Sequence, residues 1–361
     1  MLENGKVDKK GAEDLKDTEL AFVVQALGKI GRPGTDESET AVVDKVTALL
    51  TGKGKKKADT NIRRSSAIAL GQLAPQCDPK VQDKIIDTLK GVAKDGQDAS
   101  ERNFAMVALG RLAAADGVDP KVRAETVKVL QYYLDKGKPA NLAQPFASLA
   151  MGLVGRTMSA SEEDIRKPLR MKFAEGAKGD PRARGAYAIA SGLVRDPLAV
   201  PELVEVLSDR GADKRLRGYA AVALGMIGDS NSQTAIRGAL TDDTDRDLRV
   251  QTAIAAGLMN DATVIGDLVK ILESGEESQY ILGSVALALG QIGDERAIKP
   301  LLDISADTEK KYPDITRALA TVALGQIGDR RDVPTLARVA RDINFRAIGG
   351  VPSLTELLTI L

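Results

Sequence analysis

Apolar and small residues recur three and four apart through most of this chain, and the stretch Asp213–Gly228 shows the unit clearly. Leu216, Tyr219, Ala220, Ala223, Leu224 and Ile227 fall on one stripe of a helix. Asp213 stands where an N-cap belongs. Gly225 and Gly228 lie near the end, where one of them suits the left-handed residue that closes a helix. The alanines have high helix propensity, and their small size lets neighbouring helices approach closely. The segment GYAAVALGMIGD (Gly218–Asp229) returns as GSVALALGQIGD (Gly283–Asp294) and ATVALGQIGD (Ala320–Asp329). Looser copies align glycines at Gly28, Gly71, Gly110, Gly152, Gly192 and Gly257. The aligned glycines stand roughly 40 residues apart before Gly192 and roughly 33 apart after it, a period that signals a solenoid. The pattern therefore predicts an all-α chain, an alpha-alpha superhelix of about nine two-helix repeats.

Between the glycine-ending helices lie amphipathic first helices: Glu37–Leu50, Asp78–Lys94, Asp119–Lys136, and then shorter ones near Leu198–Leu207, Ser232–Leu240, Ala262–Leu272, Ala297–Ser305 and Val333–Ala340. A second regularity sits just upstream of the glycines. Arginine stands eight before the aligned glycine at Arg63, Arg102, Arg184, Arg217, Arg249 and Arg317. Asp59, Asp98, Asp180, Asp213 and Asp245 lie four before five of these, and Asp314 lies three before Arg317. An acid N-terminal to a base at this spacing supports a helix and complements its dipole. In a stack, each Arg is within reach of the Asp of the next repeat. A row of cations would serve an anion site, but each Arg arrives with its own Asp, which favours a self-neutralised structural ladder.

The pattern Asp-x3-Arg-x2-Ala-Ala-x-Ala-Leu-Gly-x-Ile-Gly-Asp, followed by a helix such as AIKPLLDI (Ala297–Ile304), resembles HEAT repeats. It looks most like the short bacterial kind also found in phycobilisome lyases. The resemblance covers nearly the whole chain, and it implies a curved stack whose inner surface is formed by the second helices, those ending in ALG. It is specific for fold and nearly silent on function.

The expected organisation is a charged, flexible N-terminal segment (1–16), a single solenoid over 17–341, and an apolar tail over 342–361. Within the solenoid the repeats are longer and irregular over 17–180 and regular over 181–341. The first helix, near Asp17–Lys29, already carries the QALGKIG ending of a second helix, so its partner is either supplied by Met1–Lys16 or lost to trimming. Arg166, Lys167, Arg170 and Lys172 make the middle locally basic and form a candidate surface for an acidic partner, against the alternative of a solvated helix face. In the tail, Phe345, Ile348, Leu354, Leu357, Leu358 and Leu361 are too apolar to stay in water, and Ser353-x-x-Glu356 forms a capping box. The tail either caps the last helix pair or docks into a neighbouring molecule.

Composition then narrows the chemistry. Lys plus Arg is 51 and Asp plus Glu is 51, whereas a protein that grips phosphates is basic over at least one domain; no nucleic acid is expected. Aromatics are 3% with no Trp, so platforms for stacking bases are scarce. Histidine is absent, which removes the commonest general acid/base and metal ligand. With one cysteine, Cys77, neither an intrachain disulfide nor a thiolate zinc cluster can form. No apolar run is long enough to span a membrane, and the first residues do not read as a signal peptide, so the chain is expected to be soluble, in a compartment the sequence leaves open. The expectation is a non-enzymatic scaffold for protein–protein interaction, with no cofactor and no metal. The alternative is a self-assembling protein that forms filaments or homo-oligomers through its N-terminal flank and C-terminal tail. A bilin-lyase-like role in chromophore handling comes third.

Overall fold

The computed structural model describes residues 17–30, 37–52, 59–137, 142–157, 162–176, 179–241, 245–274 and 278–328. The N-terminal segment 1–16, the helix expected near Val333–Ala340, and the tail with Phe345, Ile348, Leu354, Leu357, Leu358 and Leu361 lie outside the described residues. Those described are helical with no strand among them. Contacts divide the chain into two compact units, one reaching Pro168 and one beginning at Leu169. The division falls inside the span 17–180 of longer, irregular repeats.

The first unit contains α1 (Asp17–Ile30), α2 (Glu37–Thr51), α3 (Thr60–Leu73), α4 (Pro79–Asp95), α5 (Ala99–Ala114), α6 (Pro120–Lys136) and α7 (Ala143–Thr157). A single π-turn, Glu162–Arg166, runs into α8 (Lys167–Glu175). The second unit continues with α9 (Pro181–Leu193), α10 (Val200–Ser208), α11 (Lys214–Ile227), α12 (Gln233–Leu240), α13 (Arg246–Met259), α14 (Ile265–Ser274), α15 (Gln279–Ile292), α16 (Ile298–Ser305) and α17 (Asp314–Gly328).

The helices start and stop where the side chains dictate. Asp59, Asp98, Asp180, Asp213 and Asp245 each accept backbone N–H bonds at the start of a second helix, satisfying donors that the helix itself leaves open. Pro79, Pro120 and Pro181 follow such caps at the first helical position, where a missing N–H costs nothing. At the other end, α11, α13 and α15 close on left-handed residues, Gly228 (φ 75°), Asn260 (φ 55°) and Gly293 (φ 66°). The next residue in each case, Asp229, Asp261 or Asp294, caps a short 3-10 turn that leads into the first helix of the following repeat. The recurring Gly-Asp thus has a mechanical meaning: it ends one helix and starts the next.

Packing is asymmetric. The second helices α1, α3, α5 and α7 of the first unit, and α9, α11, α13, α15 and α17 of the second, lie side by side in extensive contact, whereas first helices touch one another sparsely. Glycine makes the close approach possible. A Cβ placed on Gly225 would stand 2.7 Å from the Ala255 Cα, and one on Gly110 would stand 2.8 Å from the Ala150 Cα. Within each unit the second helices thus form one continuous face, the one that the resemblance to HEAT repeats makes the inner face. The core lies between the two helix sets, with Leu70, Leu109, Leu207, Leu224, Leu240, Leu272 and Leu289 fully buried.

Candidate functional site

The arginines eight before the glycines sit between helix ends. Arg184 Nε donates to the Phe173 carbonyl of α8, Arg217 Nε to Leu207 O of α10, and Arg249 Nε to Leu240 O of α12. Arg102 Nη1 does the same to Gly96 O, at the end of α4. In each of these repeats the second helix sends a cation back to the open carbonyls of its own first helix, which the helix dipole makes negative. Gln144, at the equivalent place in α7, donates to Asp135 O of α6 at the 3.5 Å limit. Carboxylates complete the set. Arg63 meets Asp98 and Glu101, each at 3.3 Å, and Arg184 meets Glu202 at 3.1 Å. Arg317 pairs with Asp314 one turn earlier in α17 at 3.4 Å. Arg63, Arg217 and Arg249 are buried.

Two of the capping aspartates carry shifted carboxyls. At Asp98 burial pushes the pKa up, but the Glu101 amide and Arg63 outweigh it and hold it below 3.8. At Asp245 burial again opposes, and the Leu248 amide and Lys214 (3.2 Å away) win, so that carboxyl too is lowered. These groups are spent on helix ends.

The basic residues of the middle have partners of their own. Lys167 pairs with Glu163 and Lys172 with Glu175, both at 3.0 Å. Arg170 reaches the buried Asp196, which in turn caps the turn before α10. Arg166 is half-buried.

A different surface stands out on the inner face of the second unit. The residue three before each aligned glycine is a large aliphatic: Ile189, Val222, Ile254, Leu287 and Val322. Ile189 and Val222 are buried, whereas Ile254, Leu287 and Val322 are half-exposed. Leu258, one turn on from Ile254, is 42% exposed; Tyr280 at the start of α15 is 72% exposed and Ile315 at the start of α17 is 51% exposed. Along α15 this face reads Tyr280, Ser284, Leu287, Gln291, without a charge. Gln251 and Leu319, both half-buried, lie over Gly218 and Gly283 of the preceding second helices. Apolar groups that cluster in this way on a solvent-facing surface mark an interaction site more often than singly scattered ones do. The sequence reading did not single out this row. Its signal was the constancy of a branched or large aliphatic at one register, but periodicity places that residue on a stripe without saying that the stripe emerges into solvent. An open depression also lies at the turns after α13 and α15, beside Asn260, Ile292 and Gly293, where Arg296 is held by Asp294 at 2.8 Å. Among the described residues no helix is long and apolar enough to cross a membrane.

Residues 171–249 and 234–320 match the model of HEAT repeats. Over 137 residues the chain is 31% identical to the bilin biosynthesis protein PecE of Nostoc sp. (strain PCC 7120); the match takes in 36% of this chain and 53% of that protein. The chain thus spans about half the length of the curated relative it matches. Among solved structures, Kap121p bound to Pho4p superposes with a TM-score of 0.55 at 15% identity, covering 92% of this chain and 38% of Kap121p. Kap121p bound to Nup53p gives 0.53 at 15% identity, with the same shares. These two likenesses are of fold: a helical solenoid.

Proposed function

We propose that this chain of HEAT repeats is a non-enzymatic scaffold for protein–protein interaction, and that the inner face of its second unit takes the partner. The observation that carries this reading is the uncharged apolar row Ile254, Leu287 and Val322, with Leu258, Tyr280 and Ile315 exposed beside it. Packing gives the fold no reason to keep these side chains wet, and a partner surface gives one. The solenoid of Kap121p, similar in fold, was solved bound to the proteins Pho4p and Nup53p. The charged groups support the same division of labour: the arginine and aspartate set closes helix ends, and three of the four middle cations are paired within the chain. The partner therefore meets apolar contact first, with backbone and glutamine groups such as Gln291 and Gln326 at its edge.

The test is direct. A partner isolated with the full chain is titrated against Leu258→Asp and Leu287→Asp. Each variant is expected to weaken binding at least tenfold, about 1.4 kcal/mol or more, with an unchanged thermal midpoint for Leu258→Asp. Binding that survives both changes, and fails instead when Lys172 or Arg166 is replaced, rejects the inner face and points to the basic middle.

One observation supports a second reading. Identity of 31% to a bilin biosynthesis protein, over part of each chain, favours handling of a linear tetrapyrrole. An apolar face flanked by Gln291 and Gln326 offers contact to such a chromophore. Incubation of the chain with a free bilin would then give a red-shifted, protein-bound absorption band; a spectrum equal to that of the free pigment rejects this reading.

A further inference from the structure

Among the described residues, the packing that serves every preceding second helix of the unit comes to an end at α17. In α11, α13 and α15 the residue four before the glycine is Ala221, Ala253 or Ala286, each buried, and the glycine is closed by an alanine of the next helix. In α17 the same face carries Thr321, exposed, and Gly325, around whose Cβ position no described atom lies within 4 Å. Leu324 is half-exposed, whereas its counterparts Leu224 and Leu289 are fully buried. Among the described residues no further helix packs on this face.

We propose that this face is covered by the chain's own segment Ser353–Leu361, which docks on α17 as a closing helix. Leu354, Leu357, Leu358 and Leu361 stand three, one and three residues apart, one continuous helical stripe, and Ser353 and Glu356 form a capping box at its start. The stripe is wholly aliphatic, and the face it meets is small and aliphatic: Ala318, Thr321, Leu324 and Gly325. Covalent attachment decides between this occupant and a second copy. The described chain leaves α17 at Gly328, at the edge of the face itself. A tethered segment acts at an effective concentration on the order of millimolar, far above that of a second copy in dilute solution. The terminal repeat is thereby capped, as solenoids require, and the α17 end is withdrawn as a head-to-tail assembly surface. The inner face with Leu258, Tyr280 and Leu287 stays open.

Hydrogen exchange by mass spectrometry on the full chain, with light scattering on the same samples, tests this. The expected result is protection of Ser353–Leu361 and of α17 that is the same at low and high protein concentration, with a constant monomer mass. The double variant Leu357→Asp, Leu358→Asp should lower protection in both segments at least tenfold while leaving α9 to α13 unchanged, which shows that the variant is still folded. The proposal is overturned if Ser353–Leu361 exchanges at the rate of a free peptide, or if α17 keeps its protection in the double variant. Protection that grows with concentration together with the mass assigns the face to a second copy and overturns it equally.

Discussion

Gly225 is glycine because Ala255 leaves no room for a methyl group: the added Cβ would stand 2.7 Å from the neighbour's Cα and 2.8 Å from its carbonyl oxygen. Helix propensity alone would favour alanine by about 1 kcal/mol. The structure predicts the opposite sign. Gly225→Ala should destabilise the protein by about 1–3 kcal/mol, since overpacking pushes α11 away from α13. Gly266→Ala, in α14 with no neighbouring atom among the described residues within 4 Å, should stabilise it by about 0.5–1 kcal/mol. Urea midpoints of the two variants check this, and stabilisation by both would mean that close approach is not what keeps Gly225 small. The glycine itself was legible in the sequence as the marker of the period. Its reason was not, because the clash involves an atom thirty residues further along the chain.

Helix ends account for the second regularity at Arg102, Arg184, Arg217 and Arg249, beside the ion pair that Arg63 makes to Asp98 of the next repeat. Asp213 accepts from the Arg215 and Leu216 amides, and Arg217 from the same turn reaches back to the Leu207 carbonyl. One short stretch thus closes the end of α10 and opens α11. Asp213→Ala should cost about 1 kcal/mol, and Asp213→Asn close to nothing, because asparagine caps as well as aspartate. Arg217→Met keeps the buried stem but loses the charged hydrogen bond, for an expected loss of about 1.5–3 kcal/mol by chemical denaturation. Arg217→Lys should recover less than half of that, since an ammonium lacks the planar fork. The lowered carboxyls of Asp98 and Asp245 add a pH dependence. In the unfolded chain these groups titrate near 3.8, and in the folded chain they titrate lower. Between the two values the unfolded state takes up protons that the folded state refuses. Their contribution is therefore full above about pH 4 and is lost as pH falls through the lowered folded values. Asp98→Asn keeps the cap and removes the titration, so its urea midpoint should fall less steeply than that of the parent between pH 4 and pH 2. Equal slopes would show that Asp98 is not a source of acid sensitivity.

Across the molecule, the proposed function rests on what the repeats leave uncovered. The stripe positions three before each glycine look alike in sequence, yet Ile189 is buried and Leu287 is half-exposed. The same holds for the basic middle, where the sequence shows four cations in seven residues and the structure supplies Glu163, Asp196 and Glu175 to three of them. Asp196 is the instructive case: 26 positions from Arg170 in sequence, it comes to that arginine through the turn that it caps. The prediction proper to this level is a separation of effects. Leu258→Asp, on an exposed side chain, should leave the denaturation midpoint within about 0.5 kcal/mol of the parent while abolishing partner binding, whereas Gly225→Ala should move stability first.

Local chemistry was enough to read helix and repeat from the chain, because the 3.6-residue stripe, the Asp caps and the Gly-Asp closures each act within a few residues of one another. Absence of histidine and scarcity of cysteine likewise narrowed the chemistry without any geometry. Tertiary structure alone decided which glycines are obligatory, which carbonyl each arginine serves, where the chain divides into two units, and which aliphatic row meets solvent. Those properties depend on distances between residues about one repeat apart, and they are set by how closely neighbouring helices pack.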